Sequence, residues 1–592
     1  MADVSSQAAV PARRSVLLPI LTFGAVALPV LYLIFLVRRY AVPIPMLDDW
    51  EMAPLIVRAH TGGLSFSDIF AQQQESRTVF PKLIFILFAI GRYWDPRVEM
   101  FLSILICCLT SWGIYLLLRK SNLPAVTGAV AFLLMVLLIF SPAQQELWVF
   151  ASGFPSFVPA CSVVWGLVAI RSNRSLRVKF MLCLALAIFS SFTLANGLLA
   201  WALTFPILLL TQPMPGRIKW TAGWLLAWAA CLTIYFWTYI KPHDLPPFGP
   251  PESPLAYVQY VLVFLGAGLG RVGVGDPLAA STWVGALLLL CYLTALGHAL
   301  VRFRDLEYRA RVFPWLALGF YSIGSGCLAA LGRIQWGVSQ ALESRYVTFS
   351  LYLTVALLAL VPIVLGEMGK SRRSSGVRTV FAAGMVLLAA VYLTLELLCA
   401  AASVPLLQSR SAFIRQGQAA ILFSQVLDTS EIIRNVNYPR AHFVRHNADA
   451  LDRLHLLRTP LIRSKEISKL RHSAADGTVT SGFVDSLVSA GEDRYVTWGW
   501  AALVGKKKPA DGVVLAYGDD KGEWIAFALS NGPEVRADVV KTLGKPDQIW
   551  SGWRVTFSRD AVPPGAKISV WALDAKDAKL YRLGAQTPEL TL

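Results

Sequence analysis

The sequence predicts a mainly α protein, a polytopic transmembrane helical bundle followed by a C-terminal, extracytoplasmic β-sandwich. Of its 592 residues, 55% are hydrophobic and only 15% are charged, whereas soluble proteins carry about a quarter charged residues. The mean hydropathy is +0.54, and repeated apolar runs approach the length that spans a bilayer. Near the C-terminus the pattern changes to short alternating runs between turn residues, which is typical of strands.

The basic residues indicate how the chain is threaded through a membrane. The net charge of +17 comes from 54 basic and 37 acidic residues, and the cations cluster in short loops between apolar runs. This is the pattern of topology-setting charge, so we expect no nucleic-acid partner. Arg13 and Arg14 precede the first apolar run and predict a cytoplasmic N-terminus. The later basic loops that mark the same side are Arg119–Lys120, Arg171–Lys179, Gly216–Lys219, Arg302–Arg311 and Gly369–Arg378.

Apolar runs that satisfy this alternation predict about 11 crossings, with the N-terminus inside and the C-terminus outside. Two further segments, 79–93 and 256–270, are short for a bilayer of about 30 Å at about 1.5 Å per residue. Counting either one alone inverts the alternation, so we interpret both as re-entrant or surface-lying helices on the outer side. The crossings are predicted at 16–37, 98–118, 125–141, 155–170, 180–195, 197–211, 219–240, 281–301, 312–331, 347–366 and 378–402.

The chain therefore divides into three predicted domains. Residues 1–402 form the transmembrane domain, and residues 38–80 are its first outer loop. Residues 403–470 are polar with helical periodicity and predict an extracytoplasmic stalk. Residues 471–592 contain runs such as YVTWGWAAL from Tyr495 and predict the β-sandwich. Its tryptophans either fill the core or offer flat rings to a carbohydrate; they are Trp498, Trp500, Trp524, Trp550, Trp553 and Trp571.

The cysteines do not indicate a metal or a disulfide framework. All eight lie in apolar runs, and none has the spacing of a metal ligand. We therefore predict no metal site and no cofactor.

The first outer loop carries the clearest candidate for chemistry. Asp48 and Asp49 follow the first apolar run closely, after an approach that Pro43 and Pro45 restrict. Adjacent acids at a membrane surface are costly unless they are solvated, paired or used. We predict that they are catalytic; the alternative is a solvated pair that caps the helix end.

A second group of polar residues lies in the same loop and in the later outer loop after Leu331. Arginine suits a phosphate because its planar, always-charged fork forms paired hydrogen bonds. A carboxylate can take the proton of an attacking hydroxyl. A rim ion pair, a snorkelling arginine and an interfacial aromatic anchor are the alternatives for individual members. The predicted substrate-binding residues are Glu75, Arg77, Arg333, Glu343, Arg345 and Tyr346.

These residues resemble a known family. MLDDW at Met46–Trp50, ESRTVFP at Glu75–Pro81 and ESRY at Glu343–Tyr346 are similar to bacterial members of the GT-C superfamily of membrane glycosyltransferases. The resemblance covers roughly residues 15–400. It implies a GT-C-like bundle in the bacterial cytoplasmic membrane, a sugar donor carried on a polyprenyl phosphate, and a glycan or lipid-linked acceptor at the outer face.

The resemblance also implies roles for the candidate residues. Asp48 or Asp49 would be the base of a single inverting displacement at the anomeric carbon. Arg345 would contact the lipid phosphate, with Arg333 and Arg77 behind it. The chain departs from metal-dependent members in lacking a second acidic motif in a later outer loop, so a divalent metal is compatible with the site but is not indicated.

Other classes of membrane protein remain as alternatives. A transporter or flippase would want charged groups within the spans and an inverted repeat, and the sequence shows little beyond Glu396. An assembly protein that works through its sandwich leaves the acidic loop unexplained. A polysaccharide ligase or polymerase is a close neighbour of the transferase within the enzyme class.

Overall fold

The computed structural model describes residues 17–242, 253–271, 275–371, 375–473, 481–491, 493–583 and 590–591. Arg13 and Arg14, on which the predicted cytoplasmic N-terminus depends, lie outside these residues, as do the side chains of the basic loop 369–378.

Residues 17–242 form helices joined by short turns. Proline near a helix start, as at Pro54, Pro159 and Pro206, suits a position whose backbone N–H has no partner within the helix. These helices are α1 (Leu17–Tyr40), α2 (Ala53–Thr61), α3 (Phe66–Phe70), α4 (Val79–Ala89), α5 (Arg97–Arg119), α6 (Ala125–Ile139), α7 (Gln145–Trp148), α8 (Val158–Ile170), α9 (Leu176–Ser191), α10 (Leu199–Leu203), α11 (Phe205–Thr211) and α12 (Arg217–Phe236).

The rest of the bundle and the stalk are also helical. Ser253 and Asp276 cap the starts of two of these helices by accepting a hydrogen bond from a backbone N–H. The helices are α13 (Pro254–Gly270), α14 (Pro277–Val301), α15 (Leu306–Arg333), α16 (Ser344–Ser371), α17 (Ser375–Leu422), α18 (Ser430–Ile432) and α19 (Ala441–Arg453).

Seven helical segments of the described residues are long and apolar enough to cross a membrane. All seven overlap predicted crossings, so the structure confirms a mainly helical chain with membrane-length apolar helices. The four other predicted crossings are also helical, over α1, α9, the segment Ala195–Thr211 and α12. The seven segments are Arg97–Arg119, Ala125–Trp148, Ala151–Ile170, Pro277–Val301, Leu306–Trp336, Ser344–Met368 and Ala389–Leu422.

The helix α13 falls on the second short apolar segment of the sequence. It has 17 residues and packs inside the bundle, where Tyr260 and Phe264 are fully buried. Gly266 lies against α14 so closely that a methyl group there would meet Ser281 O at 2.0 Å. Of the two predicted alternatives, a re-entrant or a surface-lying helix, this burial is compatible with the first and does not fit the second. The other short segment is the 11-residue helix α4.

The helix α17 joins the membrane to the C-terminal region without interruption. It has 48 residues and includes Pro405. The predicted boundary between transmembrane domain and stalk, after residue 402, therefore lies within one continuous helix. The stalk then turns back through α18 and a π-helical turn, Ile433–Asn437, into α19, whose buried side chains include Val444, Ala448 and Leu451.

The C-terminal region is rich in β-structure, as predicted, and contains two sheets. One sheet has the order β1-β10-β9-β5-β6, with β11 on β9, and the other has the order β2-β3-β8-β7, with β4 on β3. Trp553 and Trp571 are buried, which gives both the core role. The elements are β1 (Arg471–Ser473), β2 (Ser481–Ser489), β3 (Arg494–Leu503), β4 (Lys508–Pro509), β5 (Gly512–Gly518), β6 (Trp524–Leu529), β7 (Pro533–Glu534), α20 (Ala537–Leu543), β8 (Gly552–Ser558), β9 (Lys567–Asp574), β10 (Lys579–Arg582) and β11 (Leu590–Thr591).

The C-terminal region and the first loop lie on the same side of the helical bundle. Arg39, at the end of α1, forms an ion pair of 2.8 Å with Asp547 of the β-rich region. The backbone N–H of Trp94 donates to the carbonyl of Leu456 over 2.8 Å. These contacts place the C-terminal region against the end of α1 and the segment that precedes α5.

Candidate active site

The aspartate pair lies on a single 3-10 turn, Leu47–Met52, directly after the proline-restricted approach. Asp49 points into the protein and is fully buried. Its carboxylate accepts hydrogen bonds from Ser152 N (2.7 Å), Ser152 Oγ (2.5 Å) and Met46 N (3.2 Å). Burial raises the pKa of Asp49 to about 7 in spite of these bonds. Asp49 therefore fastens the turn to the segment Ala151–Phe157.

Asp48 has a different environment. Its carboxylate has no hydrogen-bond or ion-pair partner within the described part of the chain, and the residue is only partly buried. Its pKa is raised to about 6, first by burial and then by the charges of Glu51 and Glu75, while the charges of Arg345 and Arg333 oppose this rise. A carboxylate with this pKa is ionised at neutral pH and is a better proton acceptor than an ordinary aspartate.

The two predicted outer loops meet next to Asp48. Glu75 of the first loop forms an ion pair with Arg333, at the end of α15. Tyr235 donates from its hydroxyl to the carbonyl of Glu75 over 3.2 Å, which fixes the loop from the side of α12. Glu75 and Arg333, which are far apart in the chain, therefore lie together on one side of the site.

Arg271, Arg345 and Arg410 lie near Glu146 and form an arginine cluster. Glu146 lies 3.8 Å from Arg345 and 3.9 Å from Arg410. Arg271, at the end of α13, donates to the carbonyl of Ala143 over 3.5 Å. The Nε atoms of Arg345 and Arg410 are buried and have no hydrogen-bond partner among the described residues. A buried donor without a partner is costly, and an anion that reached these N–H groups would satisfy both.

Sequence reasoning missed three members of this arginine cluster: Arg271, Arg410 and Glu146. Arg410 falls in the predicted stalk, and Arg271 ends a segment that was set aside as a short helix. The signal for Arg271 was a lone arginine directly after an apolar run on the predicted outer side. Arg410 lies beyond the last predicted crossing, which ends at residue 402, and had no such signal. Glu146 stood in a cation-poor outer loop with no motif around it.

The other two predicted substrate-binding residues, Glu343 and Tyr346, differ in burial and in their contacts with the arginine cluster. Exposed Glu343 lies close enough to influence Arg271 and Arg410 electrostatically. Tyr346 is buried, with the Arg345 guanidinium 5.5 Å from its ring centroid. Tyr346 thus packs beneath the arginine cluster.

Arg77 has a role that differs from the predicted contact with substrate. Its guanidinium is buried and donates to the carbonyls of Phe70 (2.8 Å), Tyr235 and Trp237. These bonds hold the first loop to the end of α12. Since the donors of Arg77 are committed to backbone carbonyls, we correct its assignment from substrate binding to support of the loop.

The described residues contain no group of three or more His, Cys, Asp or Glu side chains that is arranged to hold a metal ion. All eight cysteines are free thiols. The chemistry that the site offers from its own side chains is thus that of a carboxylate beside several guanidinium groups.

No protein-family model, no curated protein and no solved structure matches the chain. The function is therefore inferred from the residues around Asp48.

Proposed function

We propose that this protein is an inverting glycosyltransferase that moves a sugar from a polyprenyl-phosphate donor to a cell-envelope glycan or a lipid-linked acceptor. The observation that supports it best is the unpartnered carboxylate of Asp48 beside Arg333 and Arg345. A proton acceptor next to a set of cations matches the two needs of sugar transfer from a phosphate, which are an activated hydroxyl and a stabilised anionic leaving group.

In the proposed reaction the acceptor hydroxyl gives its proton to Asp48 while its oxygen attacks the anomeric carbon. The bond between that carbon and the donor phosphate oxygen breaks, and its electron pair stays on the phosphate. Arg345, Arg410 and Arg271 stabilise the charge that develops there, because guanidinium groups form strong charge-assisted hydrogen bonds with phosphate oxygens. A single displacement of this kind inverts the configuration of the sugar.

The finer topology belongs to the same proposal. We infer about 11 crossings, a cytoplasmic N-terminus, and an extracytoplasmic C-terminal region whose two sheets form a sandwich. The alternation of basic loops supports this arrangement. So does the ion pair of Arg39 with Asp547, which links the outer end of α1 to the β-rich region. The cell would be bacterial and the membrane its cytoplasmic membrane.

The first test compares Asp48→Asn with Asp49→Asn in cells, measuring glycan composition and the membrane level of each variant. We expect Asp48→Asn to lose one specific sugar at a normal protein level, because the fold does not use this carboxylate. Asp49→Asn should lower the protein level, since an amide cannot satisfy all three donors that Asp49 accepts from. Asp520→Asn, which alters an exposed acid of the β-rich region, is the control and should change neither quantity.

An unchanged glycan in Asp48→Asn, Asp49→Asn and the double variant would overturn the catalytic assignment. It would favour the transport or assembly alternative.

One observation favours transport. Glu396 is buried in a membrane-length helix and has one carboxylate oxygen without a partner among the described residues. A carboxylate within a membrane-spanning segment often marks an ion or substrate pathway.

A further inference from the structure

Two residues of the C-terminal region reach the turn that carries the proposed base. Tyr438 follows the π-helical turn of the stalk and is 7% exposed. Its hydroxyl lies 2.9 Å from Glu51 Oε1. Arg440 donates from Nη2 to the same hydroxyl over 2.6 Å. Because Arg440 occupies an acceptor position of the tyrosine oxygen, the single hydroxyl proton is free to point at Glu51.

Glu51 and Asp48 lie on the same face of their turn. The segment Leu47–Met52 is a 3-10 helix, in which side chains three residues apart are eclipsed. Two carboxylates in this arrangement repel each other, and an unrestrained Glu51 would rotate towards solvent. The bond from Tyr438 opposes that rotation.

We propose that Tyr438 and Arg440 are positioning residues that hold the Glu51 carboxylate beside Asp48, so that the C-terminal region controls the electrostatic environment of the proposed base. The functional meaning of this contact rests on the proposed transferase activity. The contact itself depends only on the geometry of the turn and the stalk. An outer segment that folds after the membrane domain would thereby complete the site.

Other charged groups also lie near Asp48 and Glu51. Asp48 faces Glu75 of the first loop, Arg333 of α15 and Arg345 of α16, and its neighbour Asp49 lies on the same turn. Glu51 also acts on Lys82 of α4. Among these groups, Glu51 is the one that Tyr438 contacts. A change at Tyr438 should therefore alter the pKa of Asp48 through the position of the Glu51 carboxylate.

The experiment is a pH titration of the purified full-length protein, followed by infrared difference spectroscopy. The carboxyl band that disappears in Asp48→Asn reports the protonation of Asp48, with an expected midpoint near the pKa of about 6. Removing a like charge favours the ionised form, so Glu51→Gln should lower the midpoint by about 1 pH unit. Tyr438→Phe should lower it by about half as much, because Glu51 is then free to move away.

Double variants separate positioning from a general structural effect. Tyr438→Phe should add no shift in the Glu51→Gln background but should add its full shift in the Glu75→Gln background. Tyr93→Phe, which removes an exposed outer hydroxyl bound to Arg92, should leave the midpoint unchanged.

An unshifted midpoint in Tyr438→Phe, an equal shift with and without Glu51, or no band assignable to Asp48 would each overturn the inference. The readout involves no sugar transfer. A protein that shows these shifts while Asp48→Asn leaves the glycan unchanged would retain the inference and lose the proposed function.

Discussion

At the scale of single residues, two adjacent aspartates have opposite roles because of the turn on which they lie. Neighbours on a 3-10 helix differ by about 120° in direction. Asp49 therefore points inward to Ser152 and Met46, while Asp48 points to the side where Glu75 and the arginines lie. The two aspartates could be recognised in the sequence. Which of them is the proposed base and which supports the turn depends on the direction in which each side chain points.

Arg410 is the residue-scale test of the arginine cluster. Replacing it with glutamine removes a charge-assisted donor, so kcat/KM for the donor lipid should fall by about 10- to 100-fold. Membrane level should remain normal. Arg434→Gln, at an exposed stalk position, is the matched control and should behave as the wild type. Initial rates of sugar incorporation by washed membranes measure both, and equal rates in the two variants would remove Arg410 from the site.

At the scale of elements, the position of Arg271 depends on how closely α13 packs against α14. Gly285 has room for hydrogen only, since a methyl group would lie 1.9 Å from the carbonyl oxygen of Leu262. Close approach through small residues is the main means by which helices associate in a membrane. This contact aligns α13 so that Arg271, at its end, reaches the carbonyl of Ala143.

Gly285→Ala and Gly297→Ala form a matched pair on α14. The first should destabilise the bundle by about 1–3 kcal/mol or more, because the backbone of α13 must move. The second faces open space, with no atom within 4 Å of the added methyl group, and should be neutral. Thermal unfolding of the detergent-solubilised protein, together with the membrane level, gives the comparison. Similar unfolding temperatures for the two variants would contradict the packing argument.

At the scale of the whole molecule, one continuous helix connects the membrane domain, the arginine cluster and the β-rich region. On α17, Arg410 reaches Glu146 at 3.9 Å, and Arg415, a little further along, lies 3.8 Å from Asp511 of the β-rich region. The β-rich region is therefore held to the same rigid element that carries a member of the site. Its attachment and the geometry of the arginine cluster are expected to depend on each other.

The topology of the whole chain can be tested with introduced cysteines. Lys521→Cys in the β-rich region and Arg174→Cys in a basic loop are both at exposed positions. A membrane-impermeant maleimide should label Lys521→Cys in intact spheroplasts and Arg174→Cys only after lysis, because the proposed topology puts the two on opposite sides of the membrane. The unmodified chain, whose cysteines lie in apolar helices, is the background control. Labelling of Arg174→Cys before lysis would contradict the arrangement.

Much of the architecture was accessible from composition and periodicity. Apolar length predicts membrane-spanning helices whatever their neighbours, because an isolated span must satisfy its own backbone in lipid. Alternating short runs likewise predicted the β-rich C-terminus. The pattern did not show that α17 continues past residue 402, since a helix that leaves the membrane changes its side chains without changing its hydrogen bonding. It also did not show that Arg77 would be committed to carbonyls of α3 and the end of α12.

Local composition was enough to predict a mainly helical membrane protein with a β-rich C-terminus and an acidic pair after its first apolar run. It acts through transfer of each segment between water and lipid. The folded chain was needed to show that Asp48 and not Asp49 faces the arginines, and that Arg271, Arg410 and Tyr438 lie near them. Those facts depend on contacts between segments distant in the chain, which no local pattern encodes.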